Sequence, residues 1–250
     1  SFTVTYPTLD DVYAEPTETT TLTIGGNVGT GNITDDQTTT PEPTTVNLSG
    51  PATVAEGASA TYTVSVDNAP VGAPLTVDVS YQHVSTETGD IVTTTTQVTI
   101  PVGVTSVDFT VDAVNDGTYE GAEAYQVVIS NPVGGGYETV TVGTSTVDTT
   151  ITDAQSAPVI TVSDATVEEG GNLVHTVTLD VPSEAPTTVP FTLTPGTTNP
   201  ATAGSDYTPT VTFSNGVTDN GDGTLTIPAG VTSFTVTYPT LDDVYAEPTE

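Results

Sequence analysis

The chain has 250 residues with 32 Asp and Glu and no Lys or Arg, a formal charge of −32. This excludes nucleic acid as an electrostatic partner, because no Lys or Arg contact to phosphate can be made, and it opposes binding to an anionic membrane surface. Cysteine is absent too, which removes disulfides and thiolate metal sites. The carboxylates can therefore be answered only by water, backbone N–H groups, two histidines, a chain terminus or metal ions. Oxygen ligands of this kind favour Ca²⁺, with Mg²⁺ next.

The composition is that of strands. Thr dominates and Val is plentiful, while residues that favour helix are scarce. No apolar run approaches the ~18 residues of a membrane span, so no membrane insertion is expected in this segment. Residues 1–18 return unchanged as residues 233–250. Two related units lie inside that period. Ala52-Thr53-Val54-Ala55-Glu56-Gly57 matches Ala165-Thr166-Val167-Glu168-Glu169-Gly170, and Ile100 to Ser106 matches Ile227 to Ser233. Asn32-Ile33-Thr34-Asp35 matches Thr150-Ile151-Thr152-Asp153. Self-similarity at this period marks a tandem array.

Taken in order, residues 1–37 read as the C-terminal part of a B-type repeat, and the Pro/Thr-rich stretch 38–45 as a stiff linker. Residues 46–153 read as a complete A-type repeat, 154–158 as a joint, and 159–250 as the N-terminal part of the next B-type repeat. The sequence is expected to be a window on a longer array, with residues 1–37 corresponding to what 159–250 lacks. In the A-type repeat apolar residues alternate with polar ones: Tyr62, Val64 and Val66; Val77, Val79 and Tyr81; Val107, Phe109 and Val111; Tyr125, Val127 and Ile129. The B-type repeat continues the pattern with Leu173, Val177 and Leu179, Phe191 and Leu193, and Phe234 and Val236. Period-two segments punctuated by Pro, Gly, Asn and Asp predict an all-β fold of tandem Ig-like antiparallel β-sandwich domains in an extended array.

The acids carry the candidate chemistry. The spacing Asp-x3-Glu-x2-Glu occurs three times, as Asp11/Glu15/Glu18, Asp116/Glu120/Glu123 and Asp243/Glu247/Glu250. A spacing held while the filler changes points to carboxylates that act as a set. With Asp10, Asp35, Asp36, Glu56, Asp90, Asp153, Glu169, Asp206 and Asp242, these residues are the candidate metal ligands, gathered at strand ends into an oxygen cage. The competing reading is a solvating coat of surface acids.

Asp219 to Gly223 lacks the spacing of an EF-hand loop and is expected to be a hairpin turn. His175 shares a strand face with Leu173 and Val177 and is expected at a core or rim position. His83 has no partner visible in sequence. No nucleophile with a base and an orienting group is recognisable, no phosphate-binding Gly-rich loop is present, and the histidines are not clustered for zinc. An enzyme is therefore not expected.

The run Ala201 to Tyr207 with its Gly204-Ser205-Asp206-Tyr207, then Leu225 to Gly230, then Asp242-Asp243 with Glu247 and Glu250, resembles the Calx-β repeat. Ile33-Thr34-Asp35-Asp36 fits its closing strand. The chain is also similar to the Ig-like extender repeats of giant bacterial biofilm adhesins of the RTX type. The resemblance implies several Ca²⁺ ions at one end of each sandwich, held by Glu169, Asp206, Asp242, Asp243, Glu247 and Glu250, with Asp35 and Asp36 by way of the repeat. The A-type repeat lacks Ser-Asp-Tyr, has Asn115 for the first Asp and ends Asp153-Ala154, so it is expected to hold fewer ions or hold them more weakly.

The expected function is structural. Ca²⁺ would stiffen an extender region that holds a distal binding domain away from a bacterial cell, outside the cell or at its surface, with neighbouring repeats of the same chain as partners. The alternative is an extracellular matrix or surface filament in which copies associate laterally or head to tail. A lectin-like module would need aromatic platforms outside the core, and most of the tyrosines fall at core-phase or motif positions.

Overall fold

The computed structural model describes residues 1–9, 17–34 and 43–242. Every regular element in them is a strand, and none of the described residues forms a helix long and apolar enough to cross a membrane. The chain divides into two compact units, Ser1–Val114 with Glu123–Thr152, and Asn115–Ala122 with Asp153–Glu250.

The first unit opens with a hairpin, β1 (Glu18–Ile24) and β2 (Asn27–Ile33), turned at Gly25-Gly26 and forming a two-stranded sheet of its own. A sandwich follows. Its strands are β3 (Thr44–Ser49), β4 (Thr53–Ala55), β5 (Ser59–Val66), β6 (Leu75–His83), β7 (Ile91–Val92), β8 (Gln97–Ile100), β9 (Ser106–Ala113), β10 (Glu123–Gly134), β11 (Val140–Val142) and β12 (Thr146–Thr152). One sheet runs β4-β12-β10-β6-β8 and the other β11-β3-β5-β9-β7. Alternation places Tyr62, Val64 and Val66 of one sheet and Leu75, Val77, Tyr125, Val127 and Ile129 of the other in a single buried cluster, as expected for inward residues of two facing sheets. Strand β3 begins two residues inside the expected linker. Thr44 is buried there and pairs in parallel with Val140; linker residues 38–42 lie outside the described residues.

The polar atoms in this core are satisfied locally. The Tyr62 hydroxyl lies 2.9 Å from that of Tyr125 and 2.5 Å from Thr149 Oγ1, and Thr149 donates to the Pro51 carbonyl at 2.8 Å. Burial, with the hydrogen bond and the nearby phenol of Tyr62 as lesser causes, pushes the Tyr125 phenol well above its ordinary range. That agrees with desolvation disfavouring the charged form.

The second unit contains β13 (Ile160–Val162), β14 (Asn172–Leu179), β15 (Thr187–Pro190), β16 (Thr212–Phe213), β17 (Thr218–Asp219), β18 (Thr224–Ile227) and β19 (Ser233–Pro239). Its sheets are β13-β14-β19-β16 and β15-β18-β17. The strand registers repeat those of the first unit. Val64 pairs with Val107 and Val177 with Phe234; Leu75 pairs with Ile100 and Thr187 with Ile227. The burial does not repeat. Val77 and Val79 of β6 are buried, whereas their equivalents Val189 and Phe191 are only half-buried. The buried cluster here is Val177, Leu179, Val217, Leu225, Ile227 and Phe234.

Candidate metal centre

Eight of the expected ligands, Asp10, Asp11, Glu15, Asp35, Asp36, Asp243, Glu247 and Glu250, lie outside the described residues. Of the rest, Asp90, Glu120 and Glu123 come together. Their carboxylate oxygens lie within 4.8 Å of one another, with Glu123 buried and the other two half-buried. Among the described residues this is the one set of three that close.

Strand pairing explains how Asp90 arrives. Ile91 and Val92 pair with Ala113 and Asp112 at the end of β9, and the Asp90 carbonyl accepts the Val114 N–H at 2.7 Å. The Asp90 carboxylate also accepts the Glu87 N–H. Glu123 opens β10 opposite Ile151, and Glu120 lies three residues before it.

The other described candidates stand differently. Asp153 Oδ2 accepts the backbone N–H groups of Glu120 and Gly121 at 2.8 Å each, and its Oδ1 accepts that of Gln155 at 2.7 Å. Asp116 closes a local turn by accepting the Thr118 N–H at 2.8 Å. Glu56 is buried at the end of β4, its N–H donating to Thr152 at 3.0 Å. Glu18 is exposed at the start of β1. In the second unit Glu169 and Asp206 line one cavity of about 570 Å³. Asp206 accepts the Thr202 N–H and its carbonyl accepts that of Leu241, while Gly170 approaches the Asp242 side chain so closely that an added Cβ would lie 3.1 Å from it.

Acids on the outer strand faces find neutral partners in place of the missing cations. Thr63 donates to Asp108 at 2.6 Å, Ser59 to Asp112 at 2.5 Å and Gln126 to Asp148 at 2.6 Å. Gln97 and Asn131 both donate to Asp78 and hold its carboxyl below the usual range. Sequence reading did not find these cross-strand pairs. Their signal was a Ser, Thr or amide at the matching register position, visible only once the pairing is known.

The two histidines stand apart from the acid cluster. His175 stacks on Tyr238 with ring centroids 5.9 Å apart, and its Nδ1 lies 2.8 Å from the Ser163 carbonyl. His83 Nδ1 lies 2.8 Å from Thr86 Oγ1. Asp219 to Gly223 forms the expected hairpin turn, with Asp219 and Asp222 accepting the Gly221 and Thr224 N–H groups.

The donor set of the cluster fits Ca²⁺. It consists of three carboxylates, a hard-oxygen set without nitrogen or sulfur, and Ca²⁺ accepts six to eight such oxygens in flexible geometry. Three carboxylates this close repel by about 1 kcal/mol per pair in water and about 3 kcal/mol at an effective dielectric near 20. No Lys or Arg exists in the chain to offset that.

Residues 42–154 match the family described as the LapA domain, a biofilm adhesin family. No curated protein matches the sequence. The solved structures it resembles include CBD12 from CALX1.2, at 18% identity over 79% of this chain and 76% of that chain with a TM-score of 0.40. The calcium binding domain CBD12 of CALX1.1 is 19% identical over 80% of this chain and 76% of that one, with a TM-score of 0.39. The apo-form Calx CBD1 domain is 18% identical over 45% of this chain and 98% of that one, with a TM-score of 0.37.

Proposed function

We propose that the chain is a stretch of calcium-rigidified extender repeats from a long, secreted cell-surface adhesin, which holds a distal binding domain away from the cell. The observation that carries this reading is the closure of Asp90, Glu120 and Glu123 to within 4.8 Å in a chain without a single Lys or Arg. The match of residues 42–154 to an adhesin family supports it. Ca²⁺ held by these carboxylates would replace their mutual repulsion with attraction to a common cation. It would fix the loop that carries Asp90 against the start of β10. Without the ion, self-repulsion at a charge of −32 would loosen the compact state. The neighbouring repeats of the same chain are its proposed partners. Small-angle scattering of the 250-residue chain in chelator, in millimolar Ca²⁺ and in millimolar Mg²⁺ tests the reading. A longer, stiffer particle with Ca²⁺ alone is the expected result. Indistinguishable profiles in the three conditions would refute calcium rigidification.

A further inference from the structure

Asp153 stands where the antiparallel ladder of β10 and β12 opens. Glu123 pairs with Ile151 at the last rung, so the same register, continued two residues outward, sets Gly121 opposite Asp153. There the Asp153 side chain takes up the N–H groups that the ladder no longer meets. Its Oδ2 accepts those of Glu120 and Gly121 at 2.8 Å each, and its Oδ1 accepts that of Gln155 at 2.7 Å. Two successive N–H groups turned toward one oxygen form an anion-binding concavity. Gly121 turns the chain at that point with φ +85°, in the left-handed region that glycine enters without steric cost.

Gln155 fastens the other end of the same loop. Its Nε2 donates to Asn115 Oδ1 at 2.9 Å, and Asn115 Oδ1 also accepts the Gly117 N–H at 3.0 Å. Asn115 and Ala154 stand where the B-type repeat has Asp242 and, in its closing strand, Asp36. Two carboxylates of the repeat are thus replaced by an amide and a methyl group, and hydrogen bonds hold the loop instead. The residues that close on one another are Asp90, Glu120 and Glu123, and Asp153 is not among them. Its carboxylate is bound to the backbone of the residue whose side chain joins the cluster.

We propose that Asp153 is a positioning residue of the calcium centre: it does not ligate the ion but holds the Glu120–Gly121 backbone so that the Glu120 carboxylate is delivered to Asp90 and Glu123. The inference rests on the calcium reading of those three residues. It reverses the expectation from the acidic motifs, which makes Asp153 a ligand. Hydrogen bonds from backbone N–H groups to a carboxylate are among the stronger ones, so the loop is set before an ion arrives, and groups set in advance bind at a lower ordering cost. An Asn at this position can present its one oxygen to Gln155 or to the Glu120 and Gly121 N–H groups, not to both.

A double-mutant cycle separates positioning from ligation. Calorimetry measures Ca²⁺ binding by the full chain as wild type, Asp153→Asn, Glu120→Gln and the double variant. The expected result is a loss of about 10–100-fold in affinity in Asp153→Asn. Adding Asp153→Asn to Glu120→Gln should bring no further loss, because no charged ligand is left to position. Gly121→Ala, whose added Cβ would meet nothing within 4 Å, changes only the backbone preference at that turn; it should behave alike, and it serves in place of Asp153→Asn if that variant does not fold. In chelator, the Glu120 and Gly121 amide protons should be protected from exchange in the wild type and lose that protection in Asp153→Asn. An effect of Asp153→Asn that is equal in both backgrounds would overturn the proposal, because direct ligation or the bare charge of Asp153 would produce it. Unchanged affinity in Asp153→Asn, or unprotected Glu120 and Gly121 amides in the wild type, would overturn it equally. A wild type that binds no Ca²⁺ would refute the calcium reading and this proposal with it, whereas binding with additive effects would sink the proposal alone.

Discussion

Glu123→Gln separates a metal-holding cluster from a coat of solvating acids by the sign of its effect. The substitution keeps the size of the side chain and one carbonyl acceptor but removes one of three carboxylate charges within 4.8 Å of one another. Two of the three repulsive pairs vanish. Each is worth about 1 kcal/mol at the dielectric of water and more where burial lowers it, so the metal-free protein should gain about 2 kcal/mol. For a domain of this size, at about 4 °C per kcal/mol, the melting temperature in chelator should rise by about 8 °C. In millimolar Ca²⁺ the order should reverse, because the variant has lost a charged ligand and every tenfold loss of affinity removes about 1.4 kcal/mol of ligand-linked stability. Paired thermal melts of wild type and variant, with and without Ca²⁺, read the crossing. If the variant is equally destabilised in both conditions, Glu123 is held by its structural interactions alone and the electrostatic argument is wrong.

Other expectations follow from the packing. Tyr125→Phe should cost about 1–3 kcal/mol by leaving the buried Tyr62 and Thr149 hydroxyls short of a partner, measured by denaturant unfolding. Because the folded protein holds the Tyr125 phenol above its ordinary range, this stabilisation is complete below the unfolded value near pH 10 and is lost as pH rises through the folded value. Alkaline titration of stability should show a fall above about pH 10 that is reduced in Tyr125→Phe. Leu75→Ala, at a site with no exposure, should cost about 2–5 kcal/mol, whereas Val189→Ala, at the half-buried matching face of the second unit, should cost under about 1.5 kcal/mol. Gly134 has φ +91°, and an added Cβ would lie 2.5 Å from the Pro74 carbonyl oxygen. Gly134→Ala should destabilise by about 1–3 kcal/mol, and a wild-type melting curve for it would contradict the fold at that bend.

The sandwich was legible because its core is written in alternation. Tyr62, Val64 and Val66 could point only one way in a strand, and all three are buried. The acid cluster was half legible. Glu120 and Glu123 share a motif, so their proximity follows from spacing. Asp90 lies thirty residues before Glu120, and only the pairing of Ile91 with Ala113 carries it to the others. The start of β3 was hidden for the same reason. Thr44 sits in a Pro/Thr-rich run that reads as linker, and its parallel partner Val140 is distant in the chain. Nor does period-two patterning distinguish a buried strand from a half-buried one. Phe191 reads like Val79, and only their burial tells them apart.

Calcium binding by the intact, chelator-treated chain is the most direct test, measured by isothermal titration calorimetry with Mg²⁺ as the control. Saturable uptake of Ca²⁺ that is weakened in Glu123→Gln and in Asp90→Asn, and is not reproduced by Mg²⁺, is the predicted result. The absence of saturable Ca²⁺ binding, or binding unaffected by both substitutions, would contradict the account of Asp90, Glu120 and Glu123 as a metal centre.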